Sequence, residues 1–302
     1  MHNRAGILGL VAAASLLLTG CEAANPVYTR ACRGTLATST TGPITNPALT
    51  EISGIVASRR QPGIWWVHND SGDTARIFAI GDDGATRGEF ALTGSTNFDW
   101  EDIAIGPGPV AGIDYLYVSD TGDNALTRTE VQVYRVPEPA VAATAGAFEL
   151  GGVETLRFRF PDGAKNAESL LVDPRNGQLM IVQKRSIGGP AKVYRAPANV
   201  VAGSLSTLTK VGTVTLEPGW MNAATGIDMS ADARVIAVRT YAGVLVYRVG
   251  SGQSVKAALG GTACLANAAI EPQGEAIGFD ADSLGFVTTS EGGNEALHHY
   301  DT

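Results

Sequence analysis

The chain contains few of the residues on which common catalytic and nucleic-acid-binding sites depend. Histidine occurs only 4 times and cysteine only 3 times in 302 residues. Asp and Glu (30) outnumber Lys and Arg (22), which gives a net charge of −8 and leaves no basic stripe to neutralise phosphates. We therefore expect no nucleic-acid partner. No run of five or more like charges occurs, so no charged tail is predicted.

Several motifs with a defined chemistry are also missing. The sequence has no GxxxxGK[ST] loop, no HExxH, no CxxC and no GxSxG elbow. Gly106-Pro107-Gly108 lacks the strand-turn-helix context of a dinucleotide loop. Only His68 lies in the interior of the sequence, so a histidine-dependent triad would have to use it.

The N-terminus has the pattern of an export signal. Arg4 provides a positive start, and the apolar run over residues 5–18 is shorter than the roughly 20 residues of a membrane span. The run ends in Leu18-Thr19-Gly20-Cys21, which resembles the bacterial lipobox. The resemblance implies that residues 1–20 are a removed lipoprotein signal peptide and that Cys21 carries acyl chains such as palmitate. We expect an exported protein, lipid-anchored to the extracytoplasmic face of a bacterial membrane; a plain signal peptide is the alternative.

Apart from Cys21, two cysteines remain, Cys32 and Cys264. An even remainder in an oxidising compartment predicts one disulfide between them. Two separate buried thiols are the alternative interpretation.

Short apolar runs, separated by Gly, Asp and Asn, dominate the chain after residue 46, and no helical periodicity of useful length appears. The runs recur in five units that begin at residues 53, 101, 168, 225 and 275, close to the period of a propeller blade. Each unit holds three runs and a following stretch for a fourth strand. We predict an all-β fold, a five-bladed β-propeller over residues 47–302, and expect a monomer. Six blades are the main rival, and a pair of β-sandwiches a more distant one.

The fifth unit ends after its third strand and needs a fourth strand from elsewhere. We assign residues 21–46 to the lipidated cysteine, a tether and a closing strand, and place that strand near Val27 to Leu36. A disulfide from Cys32 to Cys264 would then lock the ring.

One oxygen-bearing side chain opens the first strand of each unit. These residues are Ser53, Glu101, Glu168, Thr225 and Glu275. First strands line the channel of a propeller, so three carboxylates would face one axis and repel each other unless a cation neutralises them. Ca²⁺ accepts six or more such oxygens and is the cofactor we predict. The alternative is that each residue bonds to nearby backbone.

The same series resembles the soluble calcium-activated nucleotidases (apyrases), whose five blades open with Ser, Glu, Glu, Ser and Glu; Thr225 departs from it but keeps the hydroxyl. The resemblance implies a central Ca²⁺. It also implies that the acidic turn at residues 69–72 and the basic pair Lys184-Arg185 lie at the site.

Turns after the second strands meet at one mouth of the predicted channel, acidic on blades one and two and basic on blades three and four. The predicted ligand-binding residues there are His68, Asn69, Asp70, Asp73, Asp120, Asp123, Asn124, Lys184, Arg185, Arg239, Tyr241 and Glu291. The candidates for a catalytic role are Asp70, Asp120, Lys184, Arg185 and Arg239. Ordinary Asx turns are the alternative for the acidic segments.

Two functions fit these residues. The first is a binding propeller that holds Ca²⁺ and a ligand or partner at the channel mouth: a small phosphorylated molecule, an envelope protein or a glycan. The second is a calcium-dependent hydrolase of phosphate esters or anhydrides, with carboxylates beside a metal and facing Lys and Arg. Fold alone does not choose between them.

Overall fold

The computed structural model describes residues 25–302, so the prediction for Cys21 lies outside the described residues. These residues form five small sheets, and each sheet is one blade of a propeller. The prediction of an all-β, five-bladed propeller is confirmed. No helix among residues 25–302 is long and apolar enough to cross a membrane.

The chain enters through one helix and one strand before the first blade begins. These are α1 (Pro26–Arg33) and β1 (Ala37–Pro43). The strands of blade 1 are β2 (Ile52–Ala57), β3 (Ile64–Asn69), β4 (Arg76–Gly81) and β5 (Thr86–Leu92).

The next segments alternate between completing one blade and extending its neighbour. They are β6 (Trp100–Pro107), β7 (Asp114–Asp120), β8 (Val131–Pro137), β9 (Ala147–Leu150) and β10 (Glu154–Arg159). Strands β6, β7, β8 and β10 make blade 2, while β9 runs parallel to β5 at the outer edge of blade 1.

Blade 3 follows the same scheme. Its segment contains β11 (Ala167–Val172), β12 (Leu179–Gln183), β13 (Ala191–Arg195), β14 (Leu205–Thr207) and β15 (Thr209–Val214). Strand β14 pairs in parallel with β10 at the outer edge of blade 2, and the other four strands form the sheet of blade 3.

Blades 4 and 5 complete the ring. Blade 4 contains β16 (Ala224–Met229), β17 (Val235–Thr240), β18 (Gly243–Arg248), the short helix α2 (Val255–Leu259) and β19 (Cys264–Ala266), after a 3₁₀ turn at Trp220–Asn222. Blade 5 contains β20 (Gly274–Phe279), β21 (Gly285–Ser290) and β22 (Ala296–Asp301).

The fourth strand of blade 5 is β1, which pairs antiparallel with β22. The prediction that an N-terminal strand closes the ring is therefore confirmed, but its predicted position near Val27 to Leu36 is wrong. That segment is largely helix α1. The Asn25 side chain caps the helix by accepting a 2.8 Å hydrogen bond from the Val27 amide, and Gly34 ends it at φ 63°.

A disulfide between Cys32 and Cys264 joins helix α1 to the outermost strand of blade 4, as predicted. The same helix inserts Val27 and Ala31 into the apolar layer between blades 4 and 5. The N-terminal segment that closes the ring is thus tied to blades 4 and 5.

Apolar side chains fill the space between each pair of neighbouring blades. Trp66 and Trp100 lie together between blades 1 and 2, and Trp65 lies between blades 5 and 1. Each fully buried aliphatic or aromatic side chain contributes about 2 kcal/mol to folding. These layers hold the blades at fixed positions around the channel.

The first strand of every blade contacts the first strands of the blades on either side, so these five strands surround the axis. The chain crosses the ring along the first strand and returns along the second. Loops that precede a first strand and loops that follow a second strand therefore share one face. We call this face the channel mouth, and the face with the turns between first and second strands the opposite face.

Candidate functional site at the channel mouth

A β-bulge occurs at the same position in the first strand of all five blades. In each blade the pairing with the second strand skips one residue. The skipped residues are Ser53, Glu101, Glu168, Thr225 and Glu275. A bulge redirects the side chain of its extra residue, and all five side chains are buried at the top of the channel. The register seen in the sequence is thus a repeated structural feature.

The two hydroxyl residues of this register connect neighbouring blades. Ser53 Oγ donates a 2.6 Å hydrogen bond to the main-chain carbonyl of Glu101, and Thr225 Oγ1 donates one of 3.1 Å to that of Gly274. Each bond joins a first strand to the first strand of the next blade. Both hydroxyls therefore act in the structure as links between blades.

Two of the three glutamates lie on one side of the mouth with a lysine between them. Lys184 Nζ contacts the Glu168 carboxylate and is 3.8 Å from Glu275 Oε1. It also donates a 2.8 Å hydrogen bond to Tyr241 Oη, which in turn donates one of 2.8 Å to Glu275. Burial acts to lower the pKa of Lys184, but the two carboxylates outweigh burial and raise it. The Lys184 ammonium group therefore offsets the negative charge of the two glutamates in this half of the mouth.

The third glutamate belongs to a different cluster. Oxygens of Asp70, Asp99 and Glu101 all lie within 4.8 Å of one another. Burial, with Asp99 second, raises the pKa of Asp70 to about 7, and burial with neighbouring carboxylates holds the pKa of Glu101 well above its ordinary value. Burial also raises the pKa of Asp99. The three carboxylates are crowded together, and burial makes their negative charge costly.

The carboxylate cluster fits a hard divalent cation. All the ligand atoms that the cluster offers are carboxylate oxygens, which Ca²⁺ prefers. Asp70 Oδ1 is buried and has no hydrogen-bond partner among the described residues. Gly122 approaches so closely that a Cβ atom there would overlap Glu101 Oε1 and the Asp99 carboxylate. The main chain thus makes room for these oxygens.

The channel is closed just below the mouth by Asp102. Its carboxylate accepts hydrogen bonds from the amides of Leu170 (2.8 Å) and Ile227 (3.3 Å), which belong to blades 3 and 4. Burial raises the pKa of Asp102 well above its ordinary value. Asp102 therefore links blades 2, 3 and 4 across the channel.

His68 and Arg239, both predicted to reach the mouth, lie between blades. Each stands opposite the glycine that follows the bulge, Gly54 or Gly226. The His68 ring is fully buried and packs edge-on against Trp100, and burial lowers its pKa to about 4. The two residues therefore occupy packing positions, because the second strand turns their side chains away from the axis.

Arg239 is also fully buried and pairs at 2.8 Å with Glu271, which is itself 4% exposed. An ion pair this deep compensates an arginine that would otherwise be very costly to bury. The structure does not bring Arg239 to the carboxylate cluster.

Other predicted mouth residues stabilise the turns. Asp120 is buried and pairs with Arg128 at 2.8 Å, and Asp73 forms an ion pair with Arg76 that lowers its pKa against the opposing effect of burial. Asp123 accepts hydrogen bonds from the amides at 127 and 128. These aspartates match the Asx-turn alternative raised from the sequence.

The remaining predicted mouth residues differ in their hydrogen bonds to neighbouring residues. Asn69 bonds to the backbone at residues 48, 50 and 51, and Arg185 to the carbonyl of Pro190. Asn124 Oδ1 accepts a 3.0 Å hydrogen bond from Asn166. Glu291 lies near the other acids, and burial followed by Glu275 raises its pKa to about 8.

Sequence reasoning missed Asp99, the third member of the cluster. It lies two residues before Glu101, in the loop that leads into the first strand of blade 2. The signal was the concentration of acids at Asp99, Glu101 and Asp102 beside a predicted first strand.

Exposed aromatic side chains stand beside both halves of the mouth. Phe98 is 64% exposed, with the Arg128 guanidinium 4.7 Å from its ring centre. Trp220 is also 64% exposed, and its ring centre is 5.9 Å from that of Tyr241. A ligand at the charged centre would also meet apolar contact surface.

Comparisons with known proteins add little to this picture. No protein-family model and no curated protein sequence matches the chain. Among solved structures it is similar to the hydrazine synthase of Kuenenia stuttgartiensis, with a TM-score of 0.38 and 7% sequence identity. The match covers 76% of this chain and 66% of that one, slightly less than two thirds. At this identity the similarity does not extend to function.

Proposed function

We propose that the protein is an extracytoplasmic, lipid-anchored β-propeller that holds Ca²⁺ at its channel mouth and binds a ligand or partner there. The observation that carries the proposal is the carboxylate cluster of Asp70, Asp99 and Glu101. Glu101 is buried and Asp70 and Asp99 are partly buried, and three carboxylates this close together repel each other until a cation relieves the repulsion. The cation would be held by these three residues and would supply a positive centre for anionic or hydroxyl-bearing ligands.

This assignment places the cation off the axis. The ring of five register residues predicted from the sequence remains a prediction for Ser53, Glu168, Thr225 and Glu275. In the described residues the two hydroxyls bond to backbone, and the two glutamates share Lys184. Glu101 is the register residue that the off-axis cluster includes.

Two features support a ligand with both charge and apolar surface. The proposed cation and Lys184 would present positive charge on two sides of the channel mouth. Phe98 and Trp220 are exposed beside it, and large exposed aromatic side chains are typical of recognition surfaces. A small phosphorylated molecule, a glycan or an envelope protein satisfies this description.

A second candidate function is a calcium-dependent hydrolase of phosphate esters or anhydrides. The observation that favours it is Asp70 Oδ1, which is buried and has no hydrogen-bond partner among residues 25–302, so this oxygen is open to a cation or to a substrate. Lys184 is a candidate to hold a phosphate. Its bonds to Glu168 and Tyr241 limit that role and favour the binding function.

One experiment separates the two functions. The purified protein is titrated with Ca²⁺ by calorimetry and then incubated with nucleotides and phosphate esters, with Ca²⁺ and with chelator. Both functions predict one Ca²⁺ per chain, and only the hydrolase predicts calcium-dependent release of phosphate that Asp70→Asn abolishes. No Ca²⁺ binding would contradict both.

A further inference from the structure

The chain enters the propeller on the face opposite the channel mouth. Asn25 Nδ2 donates hydrogen bonds to Asp232 Oδ2 (2.8 Å) and to the carbonyl of Ser283 (3.2 Å). Asp232 and Ser283 lie in the turns between first and second strands of blades 4 and 5. Asn25 is four residues after Cys21, and a fully extended chain covers at most about 14 Å over that distance. A lipid on Cys21 would therefore hold the opposite face close to the membrane.

A cavity of about 210 Å³ lies beside Asn25, between blades 3 and 4. Its lining includes three arginines, Arg175, Arg234 and Arg248, with Asp232 as its acid. This concentration of positive charge stands out in a chain with a net charge of −8. The turn at residues 249–252 forms another wall of the cavity.

The arginines differ in how they are held. Arg175 is fixed by two hydrogen bonds to Asp173 and one to the carbonyl of Gln253. The Arg248 side chain is exposed and forms no hydrogen bond or ion pair with residues 25–302. Its guanidinium is available to an anion, and guanidinium groups bind phosphate through paired hydrogen bonds.

Asp232 does not pair with Arg248, because its carboxylate already accepts other hydrogen bonds. It accepts hydrogen bonds from Asn25, from Ser230 Oγ at 2.6 Å and from the Arg234 amide at 3.1 Å. The acid therefore secures the entry of the chain at Asn25, and Arg248 is the lining cation whose side chain has no partner among residues 25–302.

We propose that this cavity binds the phosphate of an anionic phospholipid headgroup. The protein would then stand on the membrane on its opposite face, with the carboxylate cluster directed away from the bilayer. The inference rests on the lipid anchor of the proposed function for its placement at a membrane, but it does not depend on the calcium site. Free phosphate shares the same chemistry, so the experiment includes it.

The test uses the full chain, extracted from membranes and reconstituted into nanodiscs of phosphatidylglycerol or of phosphatidylcholine. Amide hydrogen exchange is measured over residues 230–234 and 249–252. We expect slower exchange in phosphatidylglycerol, and loss of that protection in Arg248→Ala. Arg87→Ala is the matched control, because it removes an equal charge from a partly exposed arginine on blade 1, paired with Asp83. It should keep the protection.

Four results would overturn the inference. Equal exchange in the two lipids would remove the headgroup site and leave the anchor intact. Equal loss in Arg248→Ala and Arg87→Ala would show diffuse attraction to the membrane. Full protection by inorganic phosphate in phosphatidylcholine would assign the cavity to a free anion. A chain that enters neither kind of nanodisc would overturn the lipid anchor and this inference together, while calcium binding would remain separately testable.

Discussion

Gly122 lies against Glu101 so closely that a Cβ atom at position 122 would overlap Glu101 Oε1. The glycine comes from the loop after the second strand of blade 2, and Glu101 from the first strand of the same blade. We expect Gly122→Ala to displace the carboxylates and weaken Ca²⁺ binding about ten- to hundredfold, the scale found when groups that orient metal ligands are changed. Calorimetric titration with Ca²⁺ measures this.

The matched control is Gly151→Ala, because a Cβ atom at that position meets no other atom within 4 Å. Its Ca²⁺ affinity should equal that of the wild type. Unchanged affinity in Gly122→Ala would mean that the carboxylate cluster is not the calcium site.

Substitution of Glu168 distinguishes a calcium ion held by the carboxylate cluster from one held by the predicted ring of five residues. Glu168→Gln removes a charge that Lys184 already balances, whereas Glu101→Gln removes a member of the cluster. We expect Glu101→Gln to abolish stabilisation by Ca²⁺ and Glu168→Gln to retain most of it. Melting curves with Ca²⁺ and with chelator test this, and the reverse order would favour a cation on the channel axis.

Glu291 should make the calcium-free protein less stable as the pH rises. Burial, with Glu275 second, raises the pKa of Glu291 to about 8 from an ordinary value of 4.5. The unfolded chain therefore loses this proton first, and stability falls between about pH 4.5 and 8. With chelator, Glu291→Gln should raise the melting temperature at pH 8 and leave it unchanged at pH 4. The exposed control Glu149→Gln should have no effect at either pH.

The disulfide should contribute strongly to stability, because Cys32 and Cys264 are 232 residues apart. On the loop-entropy account, closing a loop of this length is worth about 5 kcal/mol. The double variant Cys32→Ser/Cys264→Ser should lose an amount of this order in denaturant unfolding. A loss below about 1 kcal/mol would show that the pairing of β1 with β22 closes the ring unaided.

The lipid anchor predicts that the mature protein begins at Cys21 and carries acyl chains there. Mass spectrometry of the N-terminal peptide should show the added lipid, and Cys21→Ala should abolish it. An unmodified Cys21 would leave the protein exported by a plain signal peptide.

The sequence predicted the blades because each one repeats the same order of short apolar runs. The predicted position of the closing strand was wrong, because Asn25, Pro26 and Gly34 together specify a helix with both ends capped. This capping pattern can be recognised in the sequence, and it favours a helix over a strand at this position.

The site was only partly predictable. The register of Ser53, Glu101, Glu168, Thr225 and Glu275 was visible, but which carboxylate meets which partner depends on loops that converge from different blades. The proximity of Lys184 to both Glu168 and Glu275 is of this kind. The burial of His68 and Arg239 depends on the bulge beside them, and the sequence has no separate signal for that bulge.

The calcium site is tested most directly by the melting temperature of the wild type and of Asp99→Asn, each with Ca²⁺ and with chelator at pH 7.5. Asp99 belongs to the cluster but not to the ring of five, so it isolates the site we propose. We predict that Ca²⁺ raises the melting temperature of the wild type and not that of Asp99→Asn. A wild type that does not respond to Ca²⁺, or an equal response in both proteins, would contradict a calcium ion held by Asp70, Asp99 and Glu101.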